Sequence, residues 1–316
     1  MNSESQVKPA APDGVPAPAP ASKAKIFFRR LISTVILWSV ILAVLFSANK
    51  LIADYVFLLI MVFLAGFGLA EFYGLVEKRG LVCFKGWGLI GGPLLMVGTF
   101  LHCTGKLGLY ESPSRVNDFE ASFLILFVLG LCVRQFVSRS NTAGLLAIST
   151  TLFGLMYVPW LLNFVQKINF FPGLENKGKF YVLYFIVVTK FSDTGAYAVG
   201  SLIGRHKMIP RISPGKTWEG FGGAVGVSTL ASVLFAHFAG ERLTGMNWQH
   251  AVVLGVVLSS AAVMGDLIES LFKREAGVKD SGRYFPGIGG ILDLLDSLLF
   301  NAPLMYLYLR HVLTRP

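Results

Sequence analysis

The chain has 316 residues, is 54% hydrophobic and only 15% charged, and has a mean hydropathy of +0.62. A soluble domain carries about 25% charged residues, so this composition excludes a soluble globule and points to a polytopic membrane protein. The net charge of +10 comes from a small charged set, so where the charges fall matters more than their sum. No soluble basic face of the kind that binds nucleic acid is visible.

Residues 1–24 are rich in Pro, Ala, Ser and Lys. Such a segment cannot bury a core and is expected to be a disordered tail. It does not read as a signal peptide, because the apolar run starts too late. About 20 apolar residues cross a bilayer. On that measure the sequence predicts an all-α fold of about nine transmembrane helices, near 31–48, 52–75, 86–104, 119–137, 142–165, 180–202, 218–239, 249–271 and 290–310. Residues 25–178 form an N-terminal group of membrane helices, and 179–316 form the region that carries the chemistry.

Orientation follows from Lys and Arg in the connecting segments. With the N-terminus in the cytoplasm, the inner segments carry about 18 of them and the outer segments about 9, Lys190 lying within a helix. This bias places the N-terminus and the segments 203–217 and 272–289 on the cytoplasmic side. The three cysteines, Cys83, Cys103 and Cys132, have no metal-site spacing and read as small apolar fillers. His102, His206, His237, His250 and His311 likewise form no zinc pattern.

The sixth helix carries Lys190 and Asp193, one helical turn apart, and Asp193-Thr194-Gly195 reads as a ligand-contacting break in that helix. Downstream lies Ser213-Pro214-Gly215-Lys216-Thr217. Small residues that expose backbone N–H groups, a lysine, and a helix starting near Thr217 resemble a phosphate-binding loop. It is not a Walker A motif, which needs glycine where Pro210 stands. A capped turn is the plainer alternative.

The richest stretch is Gly265–Ser297, reading GDLIESLFKREAGVKDSGRYFPGIGGILDLLDS. Ionisable residues near membrane depth are expensive and default to function. Asp293 and Asp296 lie three apart, on one face of a helix's first two turns. Two such carboxylates repel unless a cation sits between them, and Asp266 from the preceding helix completes a candidate Mg²⁺ site. Ser270, Lys273, Arg274, Lys279 and the Gly289-Gly290 pair surround it with donors suited to phosphate, and Asp280 adds a further carboxylate beside Lys279. Glu71 is a further acid at membrane depth. Together these residues predict metal-assisted chemistry on a phosphorylated substrate.

The same residues resemble the phosphatidate cytidylyltransferases, or CDP-diacylglycerol synthases. Their signature runs roughly S-x-x-K-R-x4-K-D-x-G-x2-(I/L/F)-P-x-H-G-G-x-x-D-R-x-D. It is met here by Ser270, Lys273, Arg274, Lys279, Asp280, Gly282, Phe285, Pro286, Gly289, Gly290, Asp293 and Asp296. The DTGAY and SPGKTWEG blocks also look like the family's. Two positions depart: Ile288 stands for the family histidine and Leu294 for the arginine after the first aspartate.

The resemblance implies conversion of CTP and phosphatidate into CDP-diacylglycerol and pyrophosphate. Asp266, Asp293 and Asp296 would hold Mg²⁺, and a second, monovalent cation beside it is left open. Lys216, Lys273, Arg274 and Lys279 would contact phosphates, and Asp193, Ser213, Thr217, Ser270, Asp280, Gly289 and Gly290 would line the substrate site. It also implies a multi-pass protein of a bacterial-type inner membrane, a site facing the cytoplasm, and membrane lipid and CTP rather than nucleic acid as partners. A homodimer is reasonable on the same ground. Competing readings are a CTP-dependent lipid-alcohol kinase, a membrane transporter, and a catalytically weakened pseudoenzyme suggested by Ile288 and Leu294.

Overall fold

The computed structural model describes residues 23–106, 113–138, 143–174, 177–282 and 289–314. The rest of the expected N-terminal tail, 1–22, lies outside them, and so do Arg283, Phe285, Pro286 and Ile288. The helices are α1 (Lys23–Leu45), α2 (Lys50–Lys78), α3 (Lys85–Cys103), α4 (Pro113–Val137), α5 (Gly144–Leu155), α6 (Leu161–Asn169), α7 (Gly178–Ile203), α8 (Trp218–Ala239), α9 (Trp248–Glu275) and α10 (Ile291–Tyr308). A π turn at Met156–Trp160 joins α5 to α6 in one span, and a second extends α10 through Leu309–Leu313. Pro159 in the first turn cannot donate to the helical ladder, which favours the wider turn.

Among the described residues, eight spans are long and apolar enough to cross a membrane, and α1 adds a shorter apolar stretch, Val35–Leu45. The fold is therefore the polytopic all-α bundle that hydropathy predicts. Helix starts follow side-chain capping. Asn49 accepts from Ile52 N (3.2 Å), Thr217 Oγ1 from Gly220 N (3.1 Å) and Asn247 from His250 N (2.9 Å).

Two local expectations change. The segment read as a phosphate loop is extended: β2 (Ser213–Thr217) pairs antiparallel with β1 (Lys207–Ile209). Glu219, at the start of α8, pins the entry to the hairpin by accepting from Arg205 N and His206 N. Nor is α7 broken at Asp193; it runs unbroken from Gly178 to Ile203. Its polar residues are satisfied without a break, since Thr194 Oγ1 bonds back to Lys190 O (3.0 Å) and Ser192 Oγ reaches Ser259 O of α9 (3.4 Å).

The helices that carry the charged motifs pack through short polar links. Asn301 Nδ2 of α10 donates to Thr189 Oγ1 of α7 (2.6 Å), and Ser228 Oγ of α8 to Val188 O (2.8 Å). Without a hydrophobic driving force in lipid, such bonds and close packing hold helices together. They fix α7, α8, α9 and α10 around one another, which is what positions the site.

Candidate active site

The site is built on the facing sides of α9 and α10, with the β1–β2 hairpin over them. Gly265 lets α9 lie directly on α10: a Cβ there would stand 2.6 Å from the Asp296 carbonyl. That close approach brings Asp266 and Asp296 together. Asp266, Glu269 and Asp296 each offer a carboxylate oxygen within 4.8 Å of the other two. Three hard oxygen donors from two rigid helices fit one divalent cation, since such a cation relieves their mutual repulsion.

The lysines converge on this group. Lys216 reaches down from β2, its ammonium 2.7 Å from Asp266 and 3.1 Å from the Val263 carbonyl. Lys273 lies one turn beyond Glu269 on α9, pairs with it, and donates to Asp293 at 2.7 Å. Ser270 Oγ bonds to Asp266 (3.3 Å). Lys190, the lysine inside α7, stands 3.6 Å from Asp193 and 3.5 Å from the Leu294 carbonyl. Asp193 is about half exposed.

Asp293 stands apart from the three-carboxylate group. Besides Lys273, it accepts from Gly290 N (2.7 Å), Ser281 N (3.0 Å) and Ser281 Oγ (2.9 Å). It thus caps the first turn of α10 and orients Lys273 at the same time. Gly289 and Gly290 form the entry to that turn, Gly289 having φ +119°.

Other predicted residues have plainer surroundings. Arg274 spends its donors on backbone, Nε on Ile212 O and Nη1 on Val278 O, both at 3.2 Å. Thr217 uses its hydroxyl as the cap of α8. Ser213 is partly buried in β2. Lys279 and Asp280 are exposed and make no ion pair among the described residues. Leu294 is 8% exposed and cannot contact a phosphate through its side chain.

Sequence reading missed Glu269, which is fully buried. Its position three residues after Asp266 and four before Lys273 puts all three on one helical face, and that spacing was the available signal. The role of Glu71 was also hidden, because its partners lie some 210 to 221 positions away in sequence.

A multi-pass bundle with a carboxylate trio ringed by lysines defines a membrane-embedded enzyme that acts on phosphorylated ligands. Comparison with known proteins gives the family: the profile described as "Cytidylyltransferase family" matches residues 28–312. The chain is 37% identical over 241 residues to the phosphatidate cytidylyltransferase of Staphylococcus haemolyticus, covering 70% of this chain and 92% of that protein. It is 30% identical over 285 residues to the phosphatidate cytidylyltransferase of Haemophilus influenzae, covering 87% and 96%. The chain belongs to the cytidylyltransferase family and is a nucleotidyltransferase. Members of this family generally use a divalent metal and act on nucleotide and lipid substrates in a membrane setting.

Proposed function

We infer that this protein is a phosphatidate cytidylyltransferase, joining CTP and phosphatidate to give CDP-diacylglycerol and pyrophosphate. The observation that carries the reading is the convergence of Lys216 and Lys273 on the carboxylates of α9 and α10, in a chain that matches 92% and 96% of two relatives bearing that name. A phosphate oxygen of phosphatidate attacks the α-phosphorus of CTP, and the bond from that phosphorus to the pyrophosphate oxygen breaks. The nucleophile is already an anion, so no strong protein base is needed.

The obstacle is bringing two anions together. Asp266, Glu269 and Asp296 would hold the divalent cation, for which we propose Mg²⁺; when bound it supplies charge neutralisation for the triphosphate and the leaving pyrophosphate. Lys216 and Lys273 sit against these carboxylates and present their remaining donors to phosphate oxygens. Asp293 fixes the direction of Lys273. Lys279, exposed and without an ion pair among the described residues, would meet incoming phosphate. Lys190 adds positive charge from α7. Asp193, Ser270 and Asp280 complete the polar wall. We place the site on the cytoplasmic side of a bacterial-type inner membrane, on the Lys/Arg bias of the connecting segments, and propose a homodimer on the family resemblance.

The test uses membranes expressing wild type or Asp296→Asn, supplied with phosphatidate, Mg²⁺ and CTP labelled at either the α- or the γ-phosphorus. Cytidylyl transfer puts only α-label into lipid, in wild type alone. Lipid labelled from the γ-position would instead establish a lipid kinase. No lipid label from either position, with folded protein, would overturn the enzyme reading.

A further inference from the structure

Glu71 belongs to α2, far in sequence from the charged motifs, and its side chain is buried. Its carboxylate accepts from Ile291 N (3.0 Å), Leu292 N (2.8 Å) and Ser281 Oγ (2.9 Å). Ile291 and Leu292 open α10. Their N–H groups have no partner within the helix, and Gly290, at the N-cap, has no side chain to offer. Glu71 supplies that cap from another helix and sits at the positive end of the α10 dipole.

The same carboxylate reaches the segment that follows α9. Ser281 Oγ lies 2.9 Å from both Glu71 and Asp293, so one hydroxyl proton serves two carboxylates and ties them into one unit. The backbone is shaped around Glu71. A Cβ at Gly282 would stand 2.0 Å from Glu71 Oε1, and one at Gly290 2.4 Å from Oε2. No side chain fits at either position while Glu71 is there.

Residues 281–282 and 290–292 are thus held by one side chain. The first pair follows Lys273 and Lys279; the second set precedes Asp293 and Asp296. We propose that Glu71 is a positioning residue for the transfer reaction: it clamps the end of the lysine-bearing segment to the start of α10, so that Asp293 faces Lys273. This rests on the reading of Lys273 and Asp293 as working residues of the cytidylyltransferase. A group held to catalytic geometry from a distance can matter strongly, because a misplacement of about 1 Å costs on the order of 100-fold in rate.

The experiment uses full-length protein in nanodiscs, as wild type, Glu71→Ala, Glu71→Gln, Gly282→Ala and the double variant Glu71→Ala/Gly282→Ala. Turnover, KM for CTP, and amide hydrogen exchange at Ile291 and Leu292 are measured on each. Glu71→Ala is expected to lower kcat about 100-fold while KM for CTP, which depends on the untouched Lys216 side, stays within about threefold. Glu71→Gln keeps one carbonyl acceptor and loses about 10-fold. Exchange at Ile291 and Leu292 rises at least about tenfold in Glu71→Ala. Gly282→Ala is damaging in the wild-type background and close to silent beside Glu71→Ala, because its methyl then enters vacated space; such non-additivity marks direct contact.

A folded Glu71→Ala with kcat near wild type overturns the proposal, as does unchanged exchange or an additive double variant. If Glu71→Ala does not fold, Glu71→Gln carries the same readouts. Hydrogen exchange needs no turnover, so a wild type that fails to transfer CTP overturns the functional reading while the clamp is still judged by exchange.

Discussion

Two sets of charges among the described residues are built in opposite ways. In the N-terminal half, Glu120 of α4 pairs with Lys167 of α6, with side chains only 5% and 3% exposed. Around them Asn163 donates to Glu120 (2.7 Å) and Thr99 (2.6 Å), Trp160 donates to Glu120 (3.3 Å), and Lys167 donates to Asn117 (3.2 Å). One acid meets one base, and neighbouring amides take up the remaining capacity. In the C-terminal half, Asp266, Glu269 and Asp296 crowd one another, and only two lysines reach them among the described residues, Lys216 from β2 and Lys273 from α9, both partly open to solvent. A saturated network fastens helices; an unsaturated one has capacity left for a ligand. Burial alone does not distinguish structure from function, but the balance of partners does.

The largest effect that would sharpen this contrast is expected at Asp296. Asp296→Asn keeps the shape and removes the charge from the three-carboxylate group. It should lower transfer by at least about 1000-fold, or roughly 4 kcal/mol, while the protein elutes and melts like wild type. Substantial transfer by the folded variant would take Asp296 out of the metal site.

Next comes the other network. Glu120→Leu leaves the Lys167 ammonium buried without its partner, which should destabilise the fold by about 3–5 kcal/mol. The double variant Glu120→Leu/Lys167→Met removes both charges and should recover most of that loss. Activity per folded molecule should be unchanged in the double variant. Thermal unfolding in detergent, with turnover normalised to folded protein, checks both statements. A double variant that folds well but has lost turnover would make this network part of the function and dissolve the contrast.

A third effect of about 100-fold, near 3 kcal/mol, is expected for Lys216→Gln, measured as kcat/KM for CTP. Lys216 also shows how much of the site could be read from sequence. Its importance was legible, because a lysine after Pro-Gly at a helix entry suggests phosphate chemistry. Its setting was not, since the strand pairing that carries it depends on Lys207 and Ile209 across the turn. Most helices were legible to within about four residues of their ends, because hydropathy is a local property and lipid tolerates little besides helix; α1 and α4 start well before the expected 31 and 119, at Lys23 and Pro113. Asp266, Lys273, Asp293 and Asp296 stood out by spacing. What spacing could not reveal is which carboxylate meets which cation. Asp293 and Asp296 share a helical face, yet Asp293 turns to Lys273, Ser281 and Gly290, while Asp296 turns to Asp266 and Glu269 across the contact at Gly265. That choice is tertiary, set by how α9 crosses α10.

The smallest effect separates two roles for Arg274. Sequence pattern makes it a phosphate contact, whereas its guanidinium bonds the Ile212 carbonyl in the hairpin turn and the Val278 carbonyl beyond α9. As a tie, it holds the hairpin, and with it Lys216, against α9. Losing hydrogen bonds from a charged donor costs about 1.5–3 kcal/mol of local stability. Only part of that should reach turnover, giving a fall of roughly 3- to 10-fold in Arg274→Gln. Arg274→Lys makes the decision. A lysine keeps the charge and would preserve most of a phosphate contact, but its single ammonium cannot reproduce the planar fork that bonds two separate carbonyls. Equal losses in Arg274→Gln and Arg274→Lys, with KM for CTP little changed, mark the tie. Rescue by lysine, with a large rise of KM in the glutamine variant, would move Arg274 into the substrate site.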